Sequence, residues 1–294
     1  MARLKTRLRI RVQRRYVAWL ACLTLPSILI SFVWNYGAKY PRLVQPTDAS
    51  GQPRSANSPA EGAPMKHIPG GSFRLLEEKG ADPGTPVQVA PFWIDVTEVT
   101  VERYALCVNA GRCTPPRERW DTCNWRRRES RGKHPVNCVD WLQANTYCTW
   151  VAKRLPTEEE WEFAGRGTDG RLYPWGAEAP DQRVCLKRGV STATLRNEGG
   201  TCPVDLFSRD LSPFGVLGMA GNVKEWTSSV TILPGNLRAR VLRGGGWNVD
   251  LLSPAPTVRI IEREMLTEAA YAADLGFRCA SDKLVERKEA APKR

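Results

Sequence analysis

The chain has 294 residues but only two histidines, His67 and His134, and no Cys-x-x-Cys pair. Two imidazoles cannot supply a three-histidine metal site, and zinc-ribbon ligand spacing is absent. The segment from Arg243 to Ala280 contains one cysteine, Cys279. No thiolate pair of the kind that holds copper(I) can form within it. The first fifteen residues contain no acid and seven Lys or Arg. Elsewhere neither sign dominates. The formal charge is +12, yet residues 1–64 hold ten basic and two acidic residues, leaving 33 basic against 29 acidic in the remainder. Membrane topology explains this concentration better than phosphate binding does, so no nucleic-acid partner is expected.

Long apolar runs are also scarce. One stretch of nineteen residues, Tyr16 to Trp34, carries no charge and is long enough to span a bilayer as a helix. Trp19 and Trp34 lie near its two ends, and the cations before it place the N-terminus in the cytoplasm. Residues 1–15 read as a cytoplasmic basic segment and 16–34 as a transmembrane signal anchor. Rival readings fit less well. A cleaved signal peptide has a shorter apolar core and a small-x-small site. Trp19 and Leu20 make a poor lipobox before Cys22, and the residues after Arg14-Arg15 do not suit a twin-arginine signal.

Residues 35–64 contain Pro41, Pro46, Pro53, Pro59 and Pro64 among small polar residues, the composition of an exposed linker. Residues 65–281 read as one folded domain, and 282–294 as a charged tail. A hydrophobic content of 42% with 11 Trp supports a core, while 24 Gly and 22 Pro predict many turns. Nine cysteines, one of them Cys22 in the apolar run, leave an even eight outside it. That number suits disulfides in an oxidising, extracytoplasmic compartment.

Three helices are predicted. Thr100 caps one that runs to Ala110 with Gly111 as its stop. Asp140 caps a second from Trp141 to Ala152, with Ala144, Tyr147, Cys148 and Val151 on one face. Thr157 and Glu160 form a capping box that opens a third through Ala164. Strands are expected at Gly71–Leu75, Val87–Ile94 and Val241–Arg243. So few regular elements in a domain of this size give an irregular α+β class.

A series of words recurs in order along this region. They are Ile68-Pro-Gly-Gly-Ser-Phe73, Phe92 to Thr100, His134 to Trp141, Ala144 to Trp150, and Lys153-Arg-Leu-Pro-Thr-Glu-Glu-Glu-Trp-Glu-Phe-Ala164. Tyr173-Pro-Trp-Gly176, Pro203-Val-Asp205, Phe214 to Trp226, Arg243-Gly-Gly-Gly-Trp247 and Leu275-Gly-Phe-Arg-Cys-Ala280 follow. Together they resemble the formylglycine-generating enzyme, or sulfatase-modifying factor, family. The resemblance implies a variant of the C-type-lectin fold.

It also implies a site, which this sequence departs from. Two cysteines past the Gly-Gly bind copper in the family, and the matching positions here are Val249 and Pro254. Copper is therefore not expected, and no catalytic residue is assigned. A related fold in sulfoxide synthases relies on a three-histidine iron site, which two histidines cannot build. The resemblance pairs Cys148 with Cys279. Sequence leaves the other six cysteines open, with proximity favouring Cys107–Cys113, Cys123–Cys138 and Cys185–Cys202. It further implies calcium on the carbonyls of Gly218, Gly221 and Val223 and the carboxylate of Glu225, a hard-oxygen set. The competing reading leaves Glu225 in an internal pair. A second family calcium site is not expected, because Cys185 stands where its Asn belongs.

Lys224 occupies a position that is usually Trp in the family. With Trp247, Asn248, Asp250, Arg259 and Asp274 it outlines a polar cleft for a peptide or glycan, or else a solvated face. His134, near a helix start, suits packing or a turn better than catalysis. The basic run Trp125 to Lys133 suits an exposed loop better than a grip on a polymer or lipid headgroups. The functional expectation is a membrane-anchored, periplasmic binding or scaffold module for an envelope protein, peptide or glycan. The alternative is a different oxidative or hydrolytic chemistry in the same groove.

Overall fold

The computed structural model describes residues 62–75, 86–180, 184–186, 200–248 and 259–284. The expected anchor at 16–34, most of the linker, Val249, Asp250 and Pro254 lie outside the described residues. No helix among the described residues is long and apolar enough to cross a membrane.

Among the described residues, three small sheets and three α-helices make up the α+β architecture. Strands β1 (Met65–Ile68), β4 (Phe92–Asp95) and β9 (Ala280–Ser281) form one sheet in the order β1-β4-β9. Strands β2 (Gly71–Arg74) and β3 (Pro86–Val89) form a second. Strands β5 (Lys224–Leu233), β6 (Leu237–Arg243), β7 (Arg263–Leu266) and β8 (Leu275–Gly276) form the third, in the order β7-β6-β5-β8. Only the β5–β8 pairing in it is parallel.

The sequence pattern predicts a continuous strand over Val87–Ile94, and the structure divides it. Pro91 has no N–H to give a ladder, and the chain passes from β3 to β4 at Ala90-Pro91. A matching break separates β1 from β2 at Pro69-Gly70. Gly70 has φ +73°, and a Cβ there would lie 2.6 Å from the Val89 carbonyl, so the two breaks nest against each other. The break lets Ile68 and Phe92, paired in register, face the same core as Phe73 and Val89.

The helices follow their capping signals. Helix α1 (Val101–Asn109) starts where the Thr100 hydroxyl accepts from Arg103 N–H, and ends before Gly111 at φ +67°. Helix α2 (Trp141–Trp150) has a full capping box, Asp140 with Gln143, where only a cap was expected. Helix α3 (Glu158–Arg166) opens with the Thr157–Glu160 box and continues two residues past the expected Ala164. Its Trp161 and Phe163 enter the core formed with Ile68, Phe92, Ile94, Met219 and Ile260.

The folded region starts before the expected residue 65. Ala63 is buried, its carbonyl accepts from Lys153 Nζ, and the Pro64 carbonyl accepts from Val96 N–H. It also extends past 281, where Asp282 pairs with Arg154.

Four disulfides bond eight of the nine cysteines: Cys107–Cys113, Cys123–Cys138, Cys148–Cys279 and Cys185–Cys202. Cys148–Cys279 ties α2 to the segment between β8 and β9 across 131 positions. In the loop-entropy picture, a closure of that length is worth ~5 kcal/mol.

Candidate functional site

The loop before β5 and the first residues of β5 converge on one buried guanidinium. Arg278 is fully buried, and its Nε and Nη2 donate to the two Glu225 oxygens, each at 2.7 Å. Its Nη2 also donates to the carbonyls of Leu217 and Gly218 at 2.9 and 3.1 Å. Trp161 Nε1 donates to Glu225 Oε2 at 2.8 Å. Burial pulls the Arg278 pKa down, but Glu225 and more distant carboxylates outweigh it, so the group stays charged.

This geometry decides the fit of calcium. Both Glu225 oxygens and the Gly218 carbonyl already face a permanent cation. A divalent ion on the same atoms would sit against the guanidinium, with like charges at contact distance. Gly221 and Val223 are buried in the same loop, and no cluster of three or more His, Cys, Asp or Glu suited to a metal occurs among the described residues. The set Gly218, Gly221, Val223 and Glu225 therefore does not fit calcium. The internal pair for Glu225 is the arrangement present.

Two further buried carboxyls flank this loop. Glu98 Oε1 accepts from Asn222 Nδ2 at 3.0 Å, while its Oε2 has no hydrogen-bond partner among the described residues. Burial pushes Glu98 up to about 8; Arg278 opposes the shift and Glu225 adds to it. Asp210 is raised to about 7, mainly by burial, against Arg278 and the N–H groups of Ala220 and Met219. A Cβ at Gly218 would lie 2.7 Å from Glu98 Oε2, so only glycine leaves room for that carboxyl.

Asn222, at φ +68°, joins this pit to the surface. Its Oδ1 accepts from Cys202 N–H at 2.9 Å, and its carbonyl accepts from Trp247 N–H at 2.8 Å. Sequence reading missed Asn222, although a Gly-Asn pair inside a turn was the available signal.

The expected polar cleft is assembled in part. Lys224 N–H donates to the Asp274 carbonyl at 2.8 Å, and Lys224 Nζ pairs with Asp274 at 3.3 Å and Glu264 at 2.6 Å. Trp247 Nε1 donates to the Ala273 carbonyl at 3.0 Å. A Cβ on Gly246 would lie 2.7 Å from Asp274 Oδ2 and 2.9 Å from Asn248 Oδ1, which places both beside that backbone. Lys224, Trp247, Asn248 and Asp274 thus meet, and Glu264 on β7 joins them unforeseen. Arg259 does not: it pairs with Glu262 at 4.0 Å, and Ile260 N–H donates to the Leu172 carbonyl. Asp250 lies outside the described residues.

Burial lowers the Lys224 pKa, but Glu264 and Asp274 raise it further, and the net shift is upward. The amine is a fixed cation rather than a nucleophile or base. The two histidines stand apart from this group. His67 packs on Trp93 with ring centroids 5.0 Å apart, and buried His134 sits 3.0 Å from the Thr201 hydroxyl through Nδ1. The basic run forms a short 3-10 turn at Asn124–Arg127, in which Trp125 is buried.

Known proteins resemble this chain over most of its length. A family model described as "Sulfatase-modifying factor enzyme 1-like domain" matches residues 51–283. The mouse "Inactive C-alpha-formylglycine-generating enzyme 2" is 31% identical over 277 residues, covering 78% of this chain and 89% of that protein. The "Formylglycine-generating enzyme" of Streptomyces coelicolor is 32% identical over 298 residues, with 80% and 94% covered. Among solved structures, CarF aligns with TM-score 0.58 at 21% identity, covering 74% of this chain and 98% of its own. PvdO from Pseudomonas aeruginosa aligns at 0.57 and 21%, covering 74% and 94%. These two likenesses speak to the fold alone. With most of its length matched by the family model and two relatives above 30% identity, this chain belongs to the sulfatase-modifying factor enzyme 1-like, or formylglycine-generating enzyme, family.

Proposed function

We propose that this protein is a non-catalytic binding module of the family, held outside the cytoplasm by its N-terminal segment. One observation carries the reading. All eight cysteines beyond the N-terminal apolar run are taken up in disulfides. Family oxidation needs a thiolate pair, and Cys22 is the one cysteine left over. Val249 and Pro254, at the positions matched to the family's cysteines, carry no thiol. The similarity to a relative whose name contains the word inactive supports the same reading.

The cleft of Lys224, Trp247, Asn248 and Asp274 supplies the recognition surface. It offers one fixed cation, one buried and one half-buried carboxylate, and an amphipathic ring. Such a set suits the amides and charged ends of a peptide from an envelope protein. Lysine-based hydrolysis is disfavoured because the amine is held charged. The extracytoplasmic placement rests on the basic segment before Tyr16 and on the disulfides.

Thiol counting on the purified full chain tests the proposal. One reactive thiol, at Cys22, is expected after denaturation without reductant. Two accessible reduced thiols in the folded domain would overturn it. Copper retained after dialysis and lost on thiol alkylation would do so too.

A further inference from the structure

Four side chains form a row on the surface. The Arg117 guanidinium lies over the Tyr271 ring at 5.2 Å from its centroid. Tyr271 meets Trp120 with centroids 5.6 Å apart. Arg119 lies over the Trp120 ring at 5.4 Å. Both arginines are exposed, and Trp120 keeps 38% of its surface exposed. Neither arginine forms an ion pair among the described residues.

The row is rigidly mounted. Cys138 holds both of its sides: its carbonyl accepts from Arg117 N–H at 3.0 Å, and its N–H donates to the Ala272 carbonyl at 3.1 Å, next to Tyr271. Cys138 is bonded to Cys123, whose N–H donates to the Trp120 carbonyl at 3.0 Å. Upstream, Gln143 on α2 donates to the Pro115 carbonyl at 2.9 Å. Nothing in the hydrophobic core needs these two arginines on their rings. A large aromatic pair and two unneutralised guanidiniums on a fixed frame are what a binding hot spot requires.

We propose that Arg117, Tyr271, Trp120 and Arg119 anchor a docking surface for an acidic peptide segment of a partner protein. Charge complementarity commits the surface to an anion. Arg117 and Arg119 form no ion pair among the described residues, and the nearby acid Asp121 is engaged by Arg126 at 3.2 Å rather than by either of them. Each guanidinium lies within cation–π reach of its ring, a contact that restricts the side chain and lowers the entropy lost when a carboxylate binds it. The rings favour a peptide over a sugar. A guanidinium lies over one face of each ring and the two rings are tilted by 49° against each other, so the row offers no single flat platform for a pyranose. Ring edges and arginine forks suit apolar and carboxylate side chains in succession. Tyr271 is three residues from Asp274 in sequence, and the Lys224 cleft is a separate group of side chains. The surface does not depend on that cleft, and each can fail separately.

Titration of a fluorescein-labelled octaglutamate peptide with the full chain, read by anisotropy, tests the proposal. Arg119→Lys keeps the charge but loses the planar fork, and Trp120→Ala removes its seat. Each is expected to weaken binding about tenfold, with unchanged near-UV circular dichroism. Arg209→Ala, which removes an exposed cation outside both surfaces, is expected to leave the affinity unchanged. Polygalacturonate is expected to compete poorly. Arg119→Lys binding as wild type would overturn the proposal, as would an equal loss on Arg209→Ala. Polygalacturonate displacing the peptide at lower carboxylate concentration would reassign the surface to a glycan.

Discussion

Arg278 and Glu225 form a closed fork, with Nε and Nη2 each 2.7 Å from a different carboxylate oxygen and both side chains fully buried. Arg278 precedes the long-range disulfide at Cys279, and Glu225 lies at the start of β5, so the pair binds the C-terminal segment to the third sheet. Breaking a buried pair leaves an uncompensated charge in a medium that solvates it poorly. Glu225→Gln and Arg278→Met are each expected to lower stability by about 3–5 kcal/mol. The double variant is expected to lose less than the sum of the singles, because it strands no charge. Chemical denaturation of all three proteins checks this. Additive losses would show that the two residues do not act as a unit.

The carboxyls beside this fork give the fold a pH dependence of unusual sign. Glu98 is raised from 4.5 to about 8 and Asp210 from 3.8 to about 7, burial being the main cause in both. The folded protein therefore holds protons that the unfolded chain releases. Their stabilising contribution is complete below the ordinary carboxylate values and is lost as pH climbs through about 7 and then about 8. Urea midpoints measured from mildly acidic to mildly alkaline pH are expected to fall. Glu98→Gln, which cannot ionise, is expected to flatten the upper part of that fall. A midpoint that rises with pH in this window would contradict the assignment.

What was legible in the sequence was what depends on local chemistry. Caps at Thr100, Asp140 and Thr157 set all three helix starts because capping needs only residues three apart. The three local disulfides followed from proximity, and Cys148–Cys279 from the family resemblance. What was hidden depends on residues distant along the chain. Glu225 reads equally as a hard ligand or as half of an internal pair until Arg278, 53 positions later, is placed on it. Glu264 could not be assigned to Lys224 without the β6–β7 register that carries it there. Arg259, grouped with the cleft in the sequence, is carried by the chain to Glu262 and the Leu172 side instead.

The long disulfide and the shortest one allow a comparison of loop closure. Cys148–Cys279 spans 131 positions and Cys107–Cys113 spans 6. If both act by limiting the unfolded chain, replacing the first pair with alanine costs about 3 kcal/mol more than replacing the second. Both cysteine pairs are mostly or fully buried, so the packing losses are similar in kind. Differential scanning calorimetry of the two double-alanine variants is the measurement. Equal melting temperatures would show that strain or residual structure, rather than loop entropy, sets the value of the long bridge.

Lys224 tests whether the cleft is built for stability or for contact. Its amine is the ion-pair partner of Asp274, whose side chain is only 9% exposed, and it also pairs with the more exposed Glu264. Lys224→Met keeps the stem but leaves the Asp274 carboxylate without a cation, a loss of about 1–3 kcal/mol. Lys224→Arg restores a cation and is expected to recover most of that stability, with a wider, planar head. The two effects separate in a binding assay with peptides from an envelope digest. If the cleft recognises a ligand through the compact ammonium, Lys224→Arg recovers the melting temperature but not the binding. Recovery of both would reduce Lys224 to a counter-ion for Asp274 and move recognition to Trp247 and Asn248. Recovery of neither would show that the site tolerates only the lysine geometry, with Glu264 at 2.6 Å setting its reach.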